Sequence, residues 1–108
     1  MIDPSLYAQL KTALPAEALV EGKNLAGRTE DWMHLQPLRS SLLVRPASTR
    51  EMSTALALCH AAGQPVVTHG GLTGLVHGAD TTHTDVVLSL ERMRKIESID
   101  PVQRVAVV

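Results

Sequence analysis

The stretch "VVTHGGLTGLVHGA", residues 66–79, decides how this chain is read. Two valines suited to a buried strand run straight into a segment with glycine at positions 70, 71, 74 and 78. No acid or lysine interrupts it before Asp80. Glycine takes up positive φ at little steric cost and lets other groups come close to the main chain. A turn built this way can gather its N–H groups into one concavity, which attracts anions and phosphate oxygens in particular. Thr68 and Thr73 add hydroxyl donors, and His69 adds a ring N–H if it faces the same side. The same residues also suit a plain glycine-rich connection between two strands. The spacing is not G-x-G-x-x-G, the lysine of a Walker loop is missing, and no helical pattern follows. Positive potential here must come from bare amides rather than from a helix terminus.

Outward from this loop, the flanks read as strands and helices in alternation. "DPSLYAQLKTAL" opens as a helix, with Asp3 as cap and Pro4 at the first helical position. Leu6, Leu10 and Leu14 keep helical spacing, and Pro15 ends the run. Residues 16–30 read as a short helix and then loop, broken at Gly22 and Gly27. "SLLVR", residues 41–45, reads as a short strand stopped by Pro46. Ser48 and Glu51 form a capping-box pattern ahead of a helix with Met52, Ala55, Leu56, Cys59 and Ala62 on one face. Gly63 suits a left-handed helix end, and Pro65 blocks extension. "PVV" is then a strand, followed by the glycine loop. "DVVLSL", from Asp85, alternates poorly and suits a strand covered on both faces. "ERMRKIESID" reads as a turn or short helix. "RVAVV" reads as a strand with no turn after it, which suggests a piece of a longer domain.

The totals bound the class. The chain has 108 residues, room for one small domain. It has one tryptophan, one tyrosine and no phenylalanine, so its core must be made of Leu, Val, Ala and Met. A formal net charge of −1 without a basic block gives no support to nucleic-acid or polybasic membrane binding. No apolar run is long enough for a membrane span, and the start lacks a signal-peptide pattern. The single cysteine excludes an internal disulfide. Together these features predict a soluble, cytoplasmic protein.

Residues 29–108 closely resemble the first part of the FAD-binding, PCMH-type domain of the flavoprotein family named after vanillyl-alcohol oxidase and p-cresol methylhydroxylase. Within it they are most similar to the D-lactate, glycolate and D-2-hydroxyglutarate dehydrogenase branch. Three anchors carry this, in order and at proper spacing. They are "VRPAST" before a helix, "GQPVVTHGGLTGLVHGA", and "VVLSLERMRKIESID". The resemblance implies an α+β fold, the first small α/β subdomain of such a domain, with a short sheet flanked by helices. It divides the chain into a helical segment, 1–28, and an incomplete FAD-binding subdomain, 29–108. It implies that the backbone of Thr68, His69, Gly70, Gly71, Leu72, Thr73, Gly74 and Leu75 wraps the FAD diphosphate. Pro65 and Val67 would set the loop's angle, and Met93 and Ile96 would lie near a turn packed under the site. The implied activity of the parent is oxidation of a 2-hydroxy acid, with the isolated chain inactive and holding FAD weakly or not at all. No catalytic base and no metal ligand fall in the resembled segment.

The chain departs from the family pattern at three places. Position 69 is often arginine or glutamine in relatives, position 77 is usually glycine, and position 72 is often glycine or asparagine. Here they are histidine, histidine and leucine. A Cβ at position 77 must fit a tight turn, which predicts weaker cofactor binding.

Other residues carry weaker signals. The spacings of His69, His77 and His83 match no standard zinc pattern. Cys59 and His60 are adjacent on a helix and cannot face each other. Asp31 and Trp32 read as a loop anchor in preference to a cofactor contact. Arg92, Arg94 and Lys95, flanked by Glu91 and Glu97, read as a solvated turn. Two other functions stay open. One is a standalone anion- or nucleotide-binding module. The other is an inactive remnant that self-associates through the C-terminal strand.

Overall fold

The structure, a computed structural model, describes residues 2–108. Its centre is a sheet of four short strands: β1 (Leu19–Glu21), β2 (Leu42–Val44), β3 (Val66–His69) and β4 (Val86–Ser89). Their order is β1-β2-β4-β3. β1 lies antiparallel to β2, whereas β2, β4 and β3 run parallel. Two helices, α1 (Pro4–Ala13) and α2 (Thr49–Ala61), share one face of this sheet. A separate antiparallel pair, β5 (Ser98–Asp100) and β6 (Val105–Val107), stands beyond it.

Local chemistry accounts for the helix ends. The Asp3 carboxylate accepts from the Ser5 amide at 2.7 Å, and Pro4 fills the first turn, where an N–H has no partner anyway. The Ser48 hydroxyl accepts from the Glu51 amide at 3.2 Å. The Glu51 carboxylate reaches back to the Ala47 amide at 2.7 Å, one residue further than the capping-box pattern implies. Gly63, at φ +63°, ends α2, and the Gln64 amide donates back to the Cys59 carbonyl.

Period two governs the strands. Leu42, Val44, Val86 and Leu88 meet Leu6, Leu10, Ala55 and Cys59 on the helical face. Leu43 and Val87 point the other way and pack with Val20, Leu25 and Leu38. Every residue of β2 and β4 is therefore buried, which explains their continuous apolar reading. Full burial of Leu6 and Leu10 contributes roughly 1.5–3 kcal/mol each.

Three sequence expectations are corrected. Residues 19–21 form strand β1 between two 3₁₀ turns, where a short helix and loop were expected. On α2, Leu56 is exposed and Leu58 packs instead, because the buried stripe runs through Ala55 and Cys59. "ERMRKIESID" takes the turn alternative at residues 91–92, but its end adds a strand, β5, that was not expected. Residues before position 29 also share the main core, through Ile2, Leu6, Leu10, Leu14 and Ala18.

Candidate functional site: a glycine-loop cleft

β3 and β4 are parallel neighbours, so the chain must travel back along the sheet between them. Such returns usually contain a helix. Here residues 70–85 make the return without one. The glycine loop leaves the carboxyl end of β3, where open α/β sheets commonly place ligands. It forms one wall of a cleft of about 300 Å³, lined by Thr68 and by residues 70–80. Glu30, Asp31 and Trp32 form the facing wall.

The loop's backbone is unspent. Among the described residues, no N–H from Gly70 to Ala79 donates to a protein acceptor. Solvent-facing amides at the end of a strand are the donors that an anion needs. The glycines are not there for backbone conformation. None of Gly70, Gly71, Gly74 or Gly78 has a left-handed φ. The nearest atoms to a Cβ built on them are Val76 Cγ2 at 3.9 Å and Thr73 Cγ2 at 4.0 Å, and Gly70 and Gly74 have nothing within 4 Å. Their missing side chains keep the backbone open to the cleft. The left-handed positions belong to Leu72, φ +58°, and His77, φ +60°.

Thr68, Gly70, Gly71, Leu72, Thr73, Gly74 and Leu75 all line the cleft. His69 does not. Its ring is buried and its Nε2 lies 2.8 Å from the Ala79 carbonyl, so it ties the two ends of the loop together. The His77 ring is exposed, with its Nδ1 3.4 Å from Asp80 Oδ2, and His77 is itself part of the cleft lining. Met93 and Ile96 do not pack under the site. They line a different depression with Arg92, Arg94, Lys95 and Val108.

Residues distant in sequence complete the cleft. Glu30 is 1% exposed and binds the Arg39 guanidinium at 2.8 Å. Its carboxylate also accepts from the Thr81 amide at 3.0 Å and from the Thr81 hydroxyl. Burial pushes the Glu30 carboxyl up, but the bonds from Thr81 and Arg39 outweigh it and hold it below the ordinary carboxylate range. The Asp31 carboxylate accepts from the Gln36 amide at 2.8 Å and the Leu35 amide at 2.9 Å. The Gln36 bond, against an opposing effect of burial, draws its carboxyl below the ordinary value, with Leu35 adding to it. Two carboxylates near the cleft are thus occupied within the protein. Asp80 is different: its Oδ2 lies 3.8 Å from Arg39, while its Oδ1 is buried without a partner.

The neighbouring Glu91 is no solvated turn residue. It pairs with Arg28 at 3.0 Å and Arg45 at 3.3 Å, joining the segment before β2 to the end of β4. The Arg28 bond lowers its carboxyl against burial, and Arg45 adds to the effect. No local pattern announces either carboxylate network, since their partners lie up to 63 residues apart.

Comparison with known proteins places this geometry. Residues 40–108 match the family described as FAD binding domain. The chain is 35% identical over 107 residues to the mitochondrial D-2-hydroxyglutarate dehydrogenase of Arabidopsis thaliana, covering 98% of this chain and 19% of that one. It is 29% identical over 100 residues to the Bos taurus enzyme of the same name, covering 93% and 18%. The chain therefore spans about a fifth of the length of these relatives. Among solved structures, an alkyldihydroxyacetonephosphate synthase superposes with a TM-score of 0.76 at 20% identity, covering 96% of this chain and 22% of that one. A p-cresol methylhydroxylase superposes with a TM-score of 0.69 at 17% identity, covering 93% and 21%. The expectation of a cytoplasmic protein is overturned, because the relatives from Arabidopsis thaliana, Bos taurus, Oryza sativa and Danio rerio are mitochondrial. The small α+β unit, the parallel strand return through a glycine loop and the match over residues 40–108 agree: the chain belongs to the FAD-binding-domain family of the vanillyl-alcohol oxidase and p-cresol methylhydroxylase type.

Proposed function

We propose that this chain is the diphosphate-holding part of an FAD-dependent dehydrogenase acting on a 2-hydroxy acid of the D-lactate, glycolate or D-2-hydroxyglutarate type. The observation that carries the reading is the run of unspent amides from residue 70 to residue 79 beside glycines with no steric need to be glycine. Thr68 and the backbone of residues 70–75 would hold the two phosphates, with His69, expected among them, serving the sheet and the loop closure instead. Residues 29–108 would be the binding subdomain, with residues 1–28 bracing the sheet from its helical face. The likeness to D-2-hydroxyglutarate dehydrogenases supports the substrate class.

When bound, FAD supplies a hydride acceptor for the substrate's α-carbon. This chain's residues bind and orient. The loop amides would donate to the phosphate oxygens, and His69 holds the loop's ends in register through Ala79. The cleft, about 300 Å³, lies at the low end for ligand sites and encloses a diphosphate with one ring rather than a whole dinucleotide. FAD should therefore bind the 108-residue chain weakly and be lost on dialysis.

Calorimetric titration with FAD and with riboflavin tests the reading. FAD should bind and riboflavin, which has no phosphate, should not. Gly70→Ala with Gly74→Ala should leave thermal unfolding within about 0.5 kcal/mol of the parent, as neither Cβ meets another atom. The same pair should lower FAD affinity roughly tenfold or more, by crowding the phosphate path. Equal affinity of the parent and the alanine variant for FAD, or riboflavin binding as tightly as FAD, would overturn it.

A second reading, association through the C-terminal strand pair, is favoured by the exposure of both its strands.

A further inference from the structure

Trp32 is the chain's only tryptophan and belongs to neither core cluster. It is 54% exposed. Its loop is nevertheless tightly held. The Asp31 carboxylate caps the Leu35 and Gln36 amides, and the Glu30 amide donates to the Gln36 carbonyl at 3.0 Å. Thr29 Oγ1 and His34 Nδ1 lie 3.0 Å apart, and His34 takes φ +57° to close the reversal. So much bonding fixes the backbone that carries this exposed indole, and nothing in the core depends on the indole. Met33 and Leu35, also exposed on this loop, do not line the glycine-loop cleft, whereas Trp32 does.

We propose that the Trp32 indole is the aromatic wall of this cleft and stacks on the planar ring of a nucleotide whose diphosphate lies on residues 70–75. This rests on the reading of the glycine loop as a phosphate site and deepens it. The cleft volume suits one ring beside a diphosphate. Of the carboxylates on the cleft, Glu30 is paired with the Arg39 guanidinium, Asp80 lies 3.8 Å from the same group, and Asp31 turns its Oδ1 to the Leu35 and Gln36 amides. An indole has only two side-chain torsions to fix, so stacking costs it little entropy.

The experiment compares inorganic pyrophosphate with ADP on the 108-residue chain, by calorimetry and by tryptophan emission. With one tryptophan, emission reports on this position alone. ADP should bind roughly tenfold more tightly than pyrophosphate, since stacking of a base on an aromatic side chain is worth about 1–3 kcal/mol. ADP should change the emission and pyrophosphate should not. Trp32→Phe should keep most of the gain. Trp32→Ala should reduce ADP to the affinity of pyrophosphate and leave pyrophosphate unchanged. AMP and FMN, each with one phosphate and a different ring, decide whether the wall takes adenine or flavin. If pyrophosphate binds and ADP gains nothing, or if Trp32→Ala weakens both ligands equally, the stacking role falls and the phosphate loop stands. If neither ligand binds, both fall.

Discussion

At the scale of single residues, the glycine loop reverses the usual expectation. Its glycines sit where any residue could sit sterically, and its left-handed positions are held by Leu72 and His77. A non-glycine residue in that region costs about 1–2 kcal/mol, whereas glycine avoids the clash but loses more backbone entropy on folding. His77→Gly should therefore raise stability by roughly 0.5–1 kcal/mol. That is a rise of a few degrees in Tm by calorimetry for a domain of this size. An unchanged or lower Tm would show that the His77–Asp80 contact offsets the strain. The misfit at position 77 was legible from the resemblance, which sets a glycine there in a tight turn; at position 72 only a departure from relatives was visible, and the left-handed backbone of Leu72 was not. Nor was the role of His69. Its ring donates across ten residues to Ala79, and only the folded loop brings the two together.

At the scale of elements, the segment before β2 is joined to the glycine loop's return by Glu30, Arg39 and Thr81. The folded Glu30 carboxyl titrates below its unfolded value. Its stabilisation is therefore complete above the ordinary glutamate value of about 4.3 and is lost as pH falls through the lower folded value. Glu30→Gln should cost about 1–3 kcal/mol at pH 7, where the parent carboxylate is charged and paired. The gap between the two proteins should narrow as pH falls below about 4, since protonation removes the same charge from the parent. Urea unfolding across that range measures it, and a gap independent of pH would exclude the mechanism. Glu91 is lowered too, so the variant should keep some acid sensitivity of its own. The helices, β2, β3 and β4 were legible from caps, proline stops and apolar runs. β1 was not, because Leu19–Glu21 is enclosed by two 3₁₀ turns and, unlike the fully buried β2, buries only Val20 completely.

At the scale of the molecule, the shape is extended. The radius of gyration is 15.1 Å, against about 13 Å for a compact domain of ~100 residues. The β5–β6 pair contributes to this. All its residues are exposed, including Ile99, Val105 and Val107. Its turn is internally sound, as the Asp100 carboxylate accepts from the Val102 and Gln103 amides at 3.0 Å. An exposed apolar strand pair invites pairing with another chain. Sedimentation velocity should show mass rising with protein concentration, and Val105→Lys should restore the monomer. A parent chain that stays monomeric at high concentration would remove self-association from consideration.

The sequence by itself determined the helix ends, the apolar central strands and the place of the glycine loop, which depend on local steric rules and short apolar periods written in consecutive residues. The family and the parallel sheet came from the resemblance of its motifs to known flavoproteins. The tertiary structure alone decided what faces that loop. Glu30, Asp31 and Trp32 reach it through a separate tightly bonded turn, and Arg39 and Thr81 hold that turn in place. Such contacts join residues about fifty positions apart. They arise from the way β2 and β4 lie side by side, which no stretch of neighbouring residues encodes.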